Sequence, residues 1–240
     1  MFGMSEVLAR RIAAVDWLQV ERDLDAQGVA MLPQLLNGRQ CAAVRGLYAH
    51  PQAFRSRVVM ERHGFGRGEY QYFAEPLPTL VRVLREALYS RLMPLANAWA
   101  RRLRKERLFP QTHSEFRAQC HGAGQRQPTP LLLRYGAGDF NCLHQDLYGE
   151  LAFPLQVIVM LSEPDVDYAG GELVLVEQRP RRQSRAQVIP LCKGQAAVIA
   201  VHSRPVVGRH GDYQVKLKHG VSTISRGERY TLGIIFHDAA

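Results

Sequence analysis

The chain has 240 residues, 46% of them hydrophobic, and a formal net charge of +9. That length suits one domain, or one domain with a helical extension, and the apolar content is enough to bury a core, which excludes a disordered chain. No apolar run approaches the roughly 18 residues that a membrane span needs.

The opening segment, Met1 to Val15, is interrupted by Arg10 and Arg11 and reads as a helix rather than a signal peptide. Asp16 is placed to cap a helix that carries Trp17, Val20 and Leu24 on one face and ends at Gly28. Val29 to Leu32 is a short strand stopped by Pro33. Asn37 caps a further helix with Cys41, Val44, Leu47 and Tyr48 inward. Phe54 to Phe73 mixes arginines, aromatics and glycines, and is expected to serve as a lid on the substrate side. Arg62 and Arg67 are its candidate phosphate contacts, and Tyr70, Tyr72 or Phe73 its candidate stacking rings. A long helical region runs from Pro78 to Arg107, where Pro94 should kink it or start a new segment. The whole of 1–128 is therefore read as a mainly helical region, belonging to the same domain as the remainder of the chain.

After Pro130 the texture changes. Leu131 to Tyr135, Leu155 to Leu161, Glu172 to Val176, Ala196 to Val201 and Tyr230 to Phe236 are short strand-like runs separated by Gly, Pro and Asp. Arg179 to Arg185 is a basic loop among them. Strands this short and this many predict a β-sandwich or barrel over 129–240.

The four cysteines, Cys41, Cys120, Cys142 and Cys192, are widely spaced and form no C-x-x-C pair. A zinc ribbon is thus unexpected, and a reduced cytoplasmic protein is the simplest reading. The positive charge favours anionic partners such as nucleic acid. Lysine occurs only at 105, 193, 216 and 218, however, and an arginine skew also follows from genomic base composition, so charge alone does not choose the partner.

His144-Gln145-Asp146 carries the chemistry. On an extended segment residues two apart share a face, so this imidazole and carboxylate can grip one metal ion. A two-His, one-carboxylate facial triad needs a third ligand, for which His202, His210, His219 and His237 are candidates. Only His219 brings a partner, Arg229, ten residues on. Arg229, Thr231 and Gly233 share one face of the last strand, while Tyr230, Leu232, Ile234 and Phe236 share the other. An inward arginine is costly unless an anion pairs with it, and a dicarboxylate supplies one through a bidentate fork.

These residues resemble the 2-oxoglutarate oxygenases. The matching pieces are Arg134-Tyr135-Gly136-x-Gly138, His144-x-Asp146, Gly170-Gly171-Glu172-Leu173, His219-Gly220-Val221 and Arg229-x-Thr231, spread over about residues 129 to 238. The ten-residue gap from His219 to Arg229 is similar to that of the prolyl-4-hydroxylase-like branch; AlkB-like demethylases have a longer one. The stretches Arg62 to Tyr70, Lys218 to Ser222 and Thr231 to Ala239 look like a bacterial oxygenase family assigned by analogy to oxidative demethylation of damaged DNA. The resemblance implies a double-stranded β-helix (jelly roll, cupin-like) core with the N-terminal region packed on it. It also implies an Fe(II)- and 2-oxoglutarate-dependent dioxygenase that consumes O2. Metal ligands would be His144, Asp146 and His219, and cosubstrate contacts Arg229, Thr231 and Tyr135. The substrate it implies is alkylated or single-stranded DNA, with a prolyl-type protein side chain or a small metabolite as the alternative.

Several neighbours have a plainer reading. His210 sits in a glycine-flanked, turn-like sequence; His202 and His237 end apolar strands and fit structural roles. Cys142 reads as a small buried apolar residue, and Gln156 as either a core amide or a cosubstrate contact.

Overall fold

The computed structural model describes residues 4–209 and 211–240. Among them are five α-helices: α1 (Met4–Ala13), α2 (Trp17–Gln27), α3 (Gly38–Gly46), α4 (Thr79–Arg102) and α5 (His113–Gly122). The main antiparallel sheet runs in the order β1 (Val29–Leu32), β11 (Ala196–Ala200), β7 (Leu155–Met160), β15 (Arg229–Ile234), β5 (Leu131–Tyr135), β4 (Glu69–Phe73), β2 (Phe54–Val59). The second runs β10 (Arg185–Ile189), β9 (Leu173–Gln178), β13 (Gly211–Val221), β6 (Phe140–His144), β3 (Gly66–Arg67), with β12 (Ser203–Gly208) on the first part of β13. β8 (Tyr168–Gly170) and β14 (Ile224–Gly227) pair separately. This is the double-stranded β-helix that the sequence implies.

The helix boundaries follow local chemistry. Asp16 accepts from the Gln19 N–H at 3.0 Å, and Gly28, at φ 77°, closes α2. Asn37 and Gln40 form a reciprocal capping box on α3. Pro94 does not start a new segment: α4 runs through it. An interior proline costs about 3 kcal/mol. The buried Leu88, Leu92, Leu95 and Trp99 contribute roughly 1.5–3 kcal/mol each, so packing wins. The helix stops at Arg102 rather than Arg107, because Arg104 turns into the left-handed region (φ 53°) and the Lys105 N–H returns to the Ala100 carbonyl at 2.8 Å.

Residues 1–128 are less helical than expected, since β1 to β4 lie within them. The Phe54 to Phe73 stretch is mostly sheet: β2 pairs with β4, and β4 pairs with β5 of the main sheet. Tyr70 and Tyr72 alternate at the strand period, and Phe54 stacks on Phe73 at 4.8 Å. The turn at 60–65, Gly68 and the short β3, which pairs with β6 of the second sheet, stand outside these ladders.

The sheets sort their side chains by period two. Leu232 and Ile234 of β15 join the core with Leu84 and Leu88 of α4, while Arg229, Thr231 and Gly233 line a cavity of about 310 Å³ between the sheets. The last residues are fastened to the helices by Arg85, buried on α4. Its guanidinium donates to the Ile235, Phe236 and His237 carbonyls and pairs with Asp238 at 2.7 Å.

Candidate active site

Two strands of the second sheet bring the distant ligand candidates together. His144 ends β6, and His219 on β13 is its direct cross-strand partner. Their ring centroids are 4.2 Å apart. The strands approach closely because Gly220 lacks a side chain: a Cβ there would lie 2.7 Å from the Asn141 carbonyl oxygen. Asp146 follows on an extended segment. Gln145 between them turns the other way, and its amide donates to the Leu217 carbonyl at 2.7 Å and the His202 carbonyl at 3.2 Å. His144 and Asp146 are thereby directed into the cavity.

The three donors lie within 4.8 Å of one another, and theirs is the one such grouping among the described residues. Asp146 Oδ2 is 3.2 Å from His219 Nε2, and Oδ1 is 3.6 Å from His144 Nε2. The Nδ1–H of His144 donates to the Cys142 carbonyl at 2.8 Å, which leaves the Nε2 lone pair facing the cavity. Burial, then the charge of His219, pushes the His144 pKa down and favours the neutral, ligating form. Burial alone would raise the Asp146 pKa. The hydrogen bond and charge of His219, with His144 and Tyr148, outweigh it and hold the carboxyl well below the usual range. Two imidazole nitrogens and a carboxylate on one side of a cavity fit a divalent transition metal with open positions opposite.

The same cavity holds Arg229, only 1% exposed. None of its three guanidinium nitrogens has a hydrogen-bond partner among the described residues. It lies 5.6 Å from the Tyr135 ring centroid and 5.9 Å from that of Tyr168. An orphaned buried guanidinium is a strong demand for an anion. Thr231 and Tyr135 line the cavity beside it. Burial pushes the Tyr135 phenol up to about 12 despite Arg229, so it stays a neutral donor.

Other expectations fare unevenly. Tyr70 lines the cavity, but Tyr72 does not: it is buried against Leu131 and Ile235. Phe73 is core. Arg62 and Arg67 are exposed, and Arg67 is 4.0 Å from Glu61. Cys142 is exposed on the cavity wall rather than buried. Gln156 is a buried cavity amide whose Nε2 sits 3.1 Å from His219 Nε2. His237 is structural, accepting from the Phe153 N–H at 3.3 Å. His202 lies outside the triad, and His210 lies outside the described residues.

With this geometry in view, the likenesses are specific. A family model described as "Oxygenase, catalysing oxidative methylation of damaged DNA" matches residues 68–239. The chain belongs to this oxygenase family. An uncharacterized protein of Mycobacterium tuberculosis (strain CDC 1551 / Oshkosh) is 49% identical over 207 residues, 86% of this chain and 84% of that protein. A Pseudomonas putida prolyl-4-hydroxylase structure matches with TM-score 0.50 and 15% identity, covering 93% of this chain and 99% of that one. An oxidoreductase of the 2OG-Fe(II) oxygenase family from Burkholderia pseudomallei matches with TM-score 0.53 and 15% identity, covering 93% and 92%. At that identity the two structures speak for the fold. Family membership makes this chain an oxygenase, and so an oxidoreductase, and its His-Asp-His grouping offers the donor set that a divalent metal needs. No helix among the described residues is long and apolar enough to cross a membrane.

Some further residues of this oxygenase's site carried a signal in the sequence and others did not. Tyr148 donates to Asp146 Oδ1 at 2.6 Å, and its signal was present, since it continues the alternate-residue face of His144 and Asp146. Tyr168, beside Arg229, comes from a separate strand pair and had no local signal. Phe65 reaches the cavity mouth, 48% exposed, with its ring stacked on His63.

Proposed function

We propose that this oxygenase oxidatively demethylates alkylated DNA, with His144, Asp146 and His219 holding Fe(II) and Arg229 holding the far carboxylate of 2-oxoglutarate. The observation that carries the site assignment is the buried Arg229 guanidinium, without a partner, in the cavity of the His-Asp-His grouping. A dicarboxylate that chelates the metal at one end and reaches Arg229 at the other answers both demands.

When bound, iron with 2-oxoglutarate and O2 supplies an oxidant able to hydroxylate an unactivated C–H bond. The chain's own residues position and shield. The Cys142 carbonyl fixes the His144 ring, and Tyr148 fixes the Asp146 carboxylate. Thr231 and the neutral Tyr135 phenol are placed to donate to cosubstrate oxygens beside Arg229. Leu131, Leu133, Ile158 and Val221 keep the remaining wall apolar, which restricts water.

For the substrate, support comes from the family's description and from the +9 charge. Phe65 is an exposed ring at the mouth suited to stacking on a base, and the exposed Arg62 and Arg67 lie three and two residues from it in the chain. The basic loop Arg179 to Arg185, by contrast, leads into β10, at the opposite edge of its sheet from β3. A cytoplasmic location accords with four free cysteines.

The test is Fe(II)- and 2-oxoglutarate-dependent turnover on N-methylated single-stranded oligonucleotides, reading succinate and formaldehyde together. An N-methyl carbon hydroxylated in this way is shed as formaldehyde, in step with succinate. Succinate without formaldehyde, alongside a hydroxylated peptide or metabolite, would replace DNA by the hydroxylase alternative.

A further inference from the structure

The active-site cavity is not the largest opening in the molecule. A groove of about 700 Å³ lies beside it, between the end of α4 and the segment that follows Asp146. The partition is thin. Along that segment Tyr148 lines the active-site cavity, while its neighbour Leu147, 48% exposed, lines the groove. Gln145 ties the partition to the groove wall through the His202 carbonyl.

One wall is the short run Leu103 to Phe109, which leaves α4 at the left-handed Arg104. Arg104, Lys105 and Arg107 are exposed there and form no ion pair among the described residues. Arg102, just before them, is by contrast committed to Asp25 and Asp212. Lys216 adds to this corner: burial, then the charges of Lys216 and Lys105, pushes the His202 imidazole down. Two carboxylates, Glu106 and Glu150, share the lining. The floor is apolar, with the half-buried Phe109 ring in it.

We infer that this groove is a second nucleic-acid subsite, where the phosphodiester backbone flanking the reacting nucleotide crosses Leu147 and is held by Arg104, Lys105 and Arg107. The inference rests on the proposed DNA substrate and extends it. A strand whose one nucleotide enters the cavity continues on either side of it, and this groove borders the cavity directly. Unpaired cations on a rim suit phosphates, and an apolar floor with an aromatic ring suits sugars and base faces. An acidic peptide could use the cations but gains less from that floor.

The test compares binding of a trinucleotide and a dodecanucleotide, both single-stranded with a central N-methylated base, by fluorescence anisotropy over a salt series. The Arg104→Ala/Lys105→Ala/Arg107→Ala variant should lose roughly tenfold or more in dodecanucleotide affinity. Its salt slope should drop by about 2, near 0.7 for each lost phosphate contact. Trinucleotide affinity should be unchanged, Arg104→Lys/Arg107→Lys should restore the slope, and Glu106→Gln should tighten the dodecanucleotide. Since all these side chains are exposed, unchanged melting temperatures check the fold. A wild-type protein that binds the dodecanucleotide, with a variant of equal affinity and slope, overturns the groove assignment alone. A wild-type protein that binds neither oligonucleotide overturns the DNA reading itself. Binding of a polyglutamate peptide that depends on the three cations, without oligonucleotide binding, assigns the groove to an acidic protein instead.

Discussion

Tyr148 gives its phenolic hydrogen to Asp146 Oδ1 across 2.6 Å, while Oδ2 of the same carboxylate faces His219 Nε2 at 3.2 Å. Burial, then the Asp146 charge, pushes the Tyr148 pKa up, so the phenol remains a donor. One carboxylate is thus steered from both sides, and its rotation is set by a residue that does not ligate. Tyr148→Phe keeps the ring packed on Tyr72 and His237 and removes only the donor. Metal affinity should fall roughly 10- to 100-fold with little change in melting temperature. Anaerobic Fe(II) titration measures this, and an unaltered titration would mean that the hydrogen bond positions nothing.

Arg229 makes a prediction with two readouts. In Arg229→Met the KM for 2-oxoglutarate should rise by roughly 10- to 150-fold, the equivalent of about 1.5–3 kcal/mol for a lost charge-assisted bond. Metal titration should be unaffected. Without cosubstrate, Arg229 is a buried cation with no hydrogen-bond partner, so metal-free Arg229→Met should melt at the same temperature or higher. A normal KM, or a collapse in thermal stability, would assign Arg229 to the fold rather than to the cosubstrate.

The site was legible where one strand carries its own pattern. His144, Asp146 and Tyr148 repeat every second residue, and so do Arg229 and Thr231, and period two is visible in a bare sequence. What joins them was not. The register that sets His219 opposite His144 depends on pairing between strands far apart in the chain. β13 itself mixes buried Val215 and Leu217 with Lys216 and Lys218, which blurs its apolar run. Tyr72 shares the face of Tyr70 but lies further along β4, packed with Leu131 and Ile235 and edge-on to Tyr148, and nothing in the sequence marks where along that face the cavity ends. Of the two outcomes open for Pro94, a new segment does not occur: its local cost is real, but α4 buries enough apolar surface to run through it.

Two histidines away from the metal grouping set an acid limit on stability. Burial, then the charge of Arg85, pushes His113 down to about 3 and His237 down to about 4. In the unfolded chain both take up protons near pH 6.5. Between that pH and about 4 the unfolded state binds more protons than the folded state, so stability falls as pH falls. Each group should remove on the order of 2–3 kcal/mol between pH 7 and 4.5. Asp238, whose pKa is lowered against burial by Arg85, loses its contribution only at more acidic pH. Urea unfolding at the two pH values measures the difference, and equal midpoints would contradict the buried, neutral state of both imidazoles.

Gly220 tests whether the metal grouping depends on how closely two strands approach. An alanine Cβ there would lie 2.7 Å from the Asn141 carbonyl oxygen and 3.2 Å from that of Cys142, both on β6. These are backbone atoms, so relief requires β13 and β6 to part. Parting moves His219 away from His144 and Asp146. Gly220→Ala should cost about 1–3 kcal/mol of stability. Metal affinity should fall by at least about tenfold, as for a displaced metal-site residue. Gly46→Ala, at the end of α3 with nothing within 4 Å of its added Cβ, is the control and should bind metal normally. If Gly220→Ala binds metal as tightly as the control, the separation of β13 and β6 does not govern the site, and the ligand geometry is set from the Asp146 side instead.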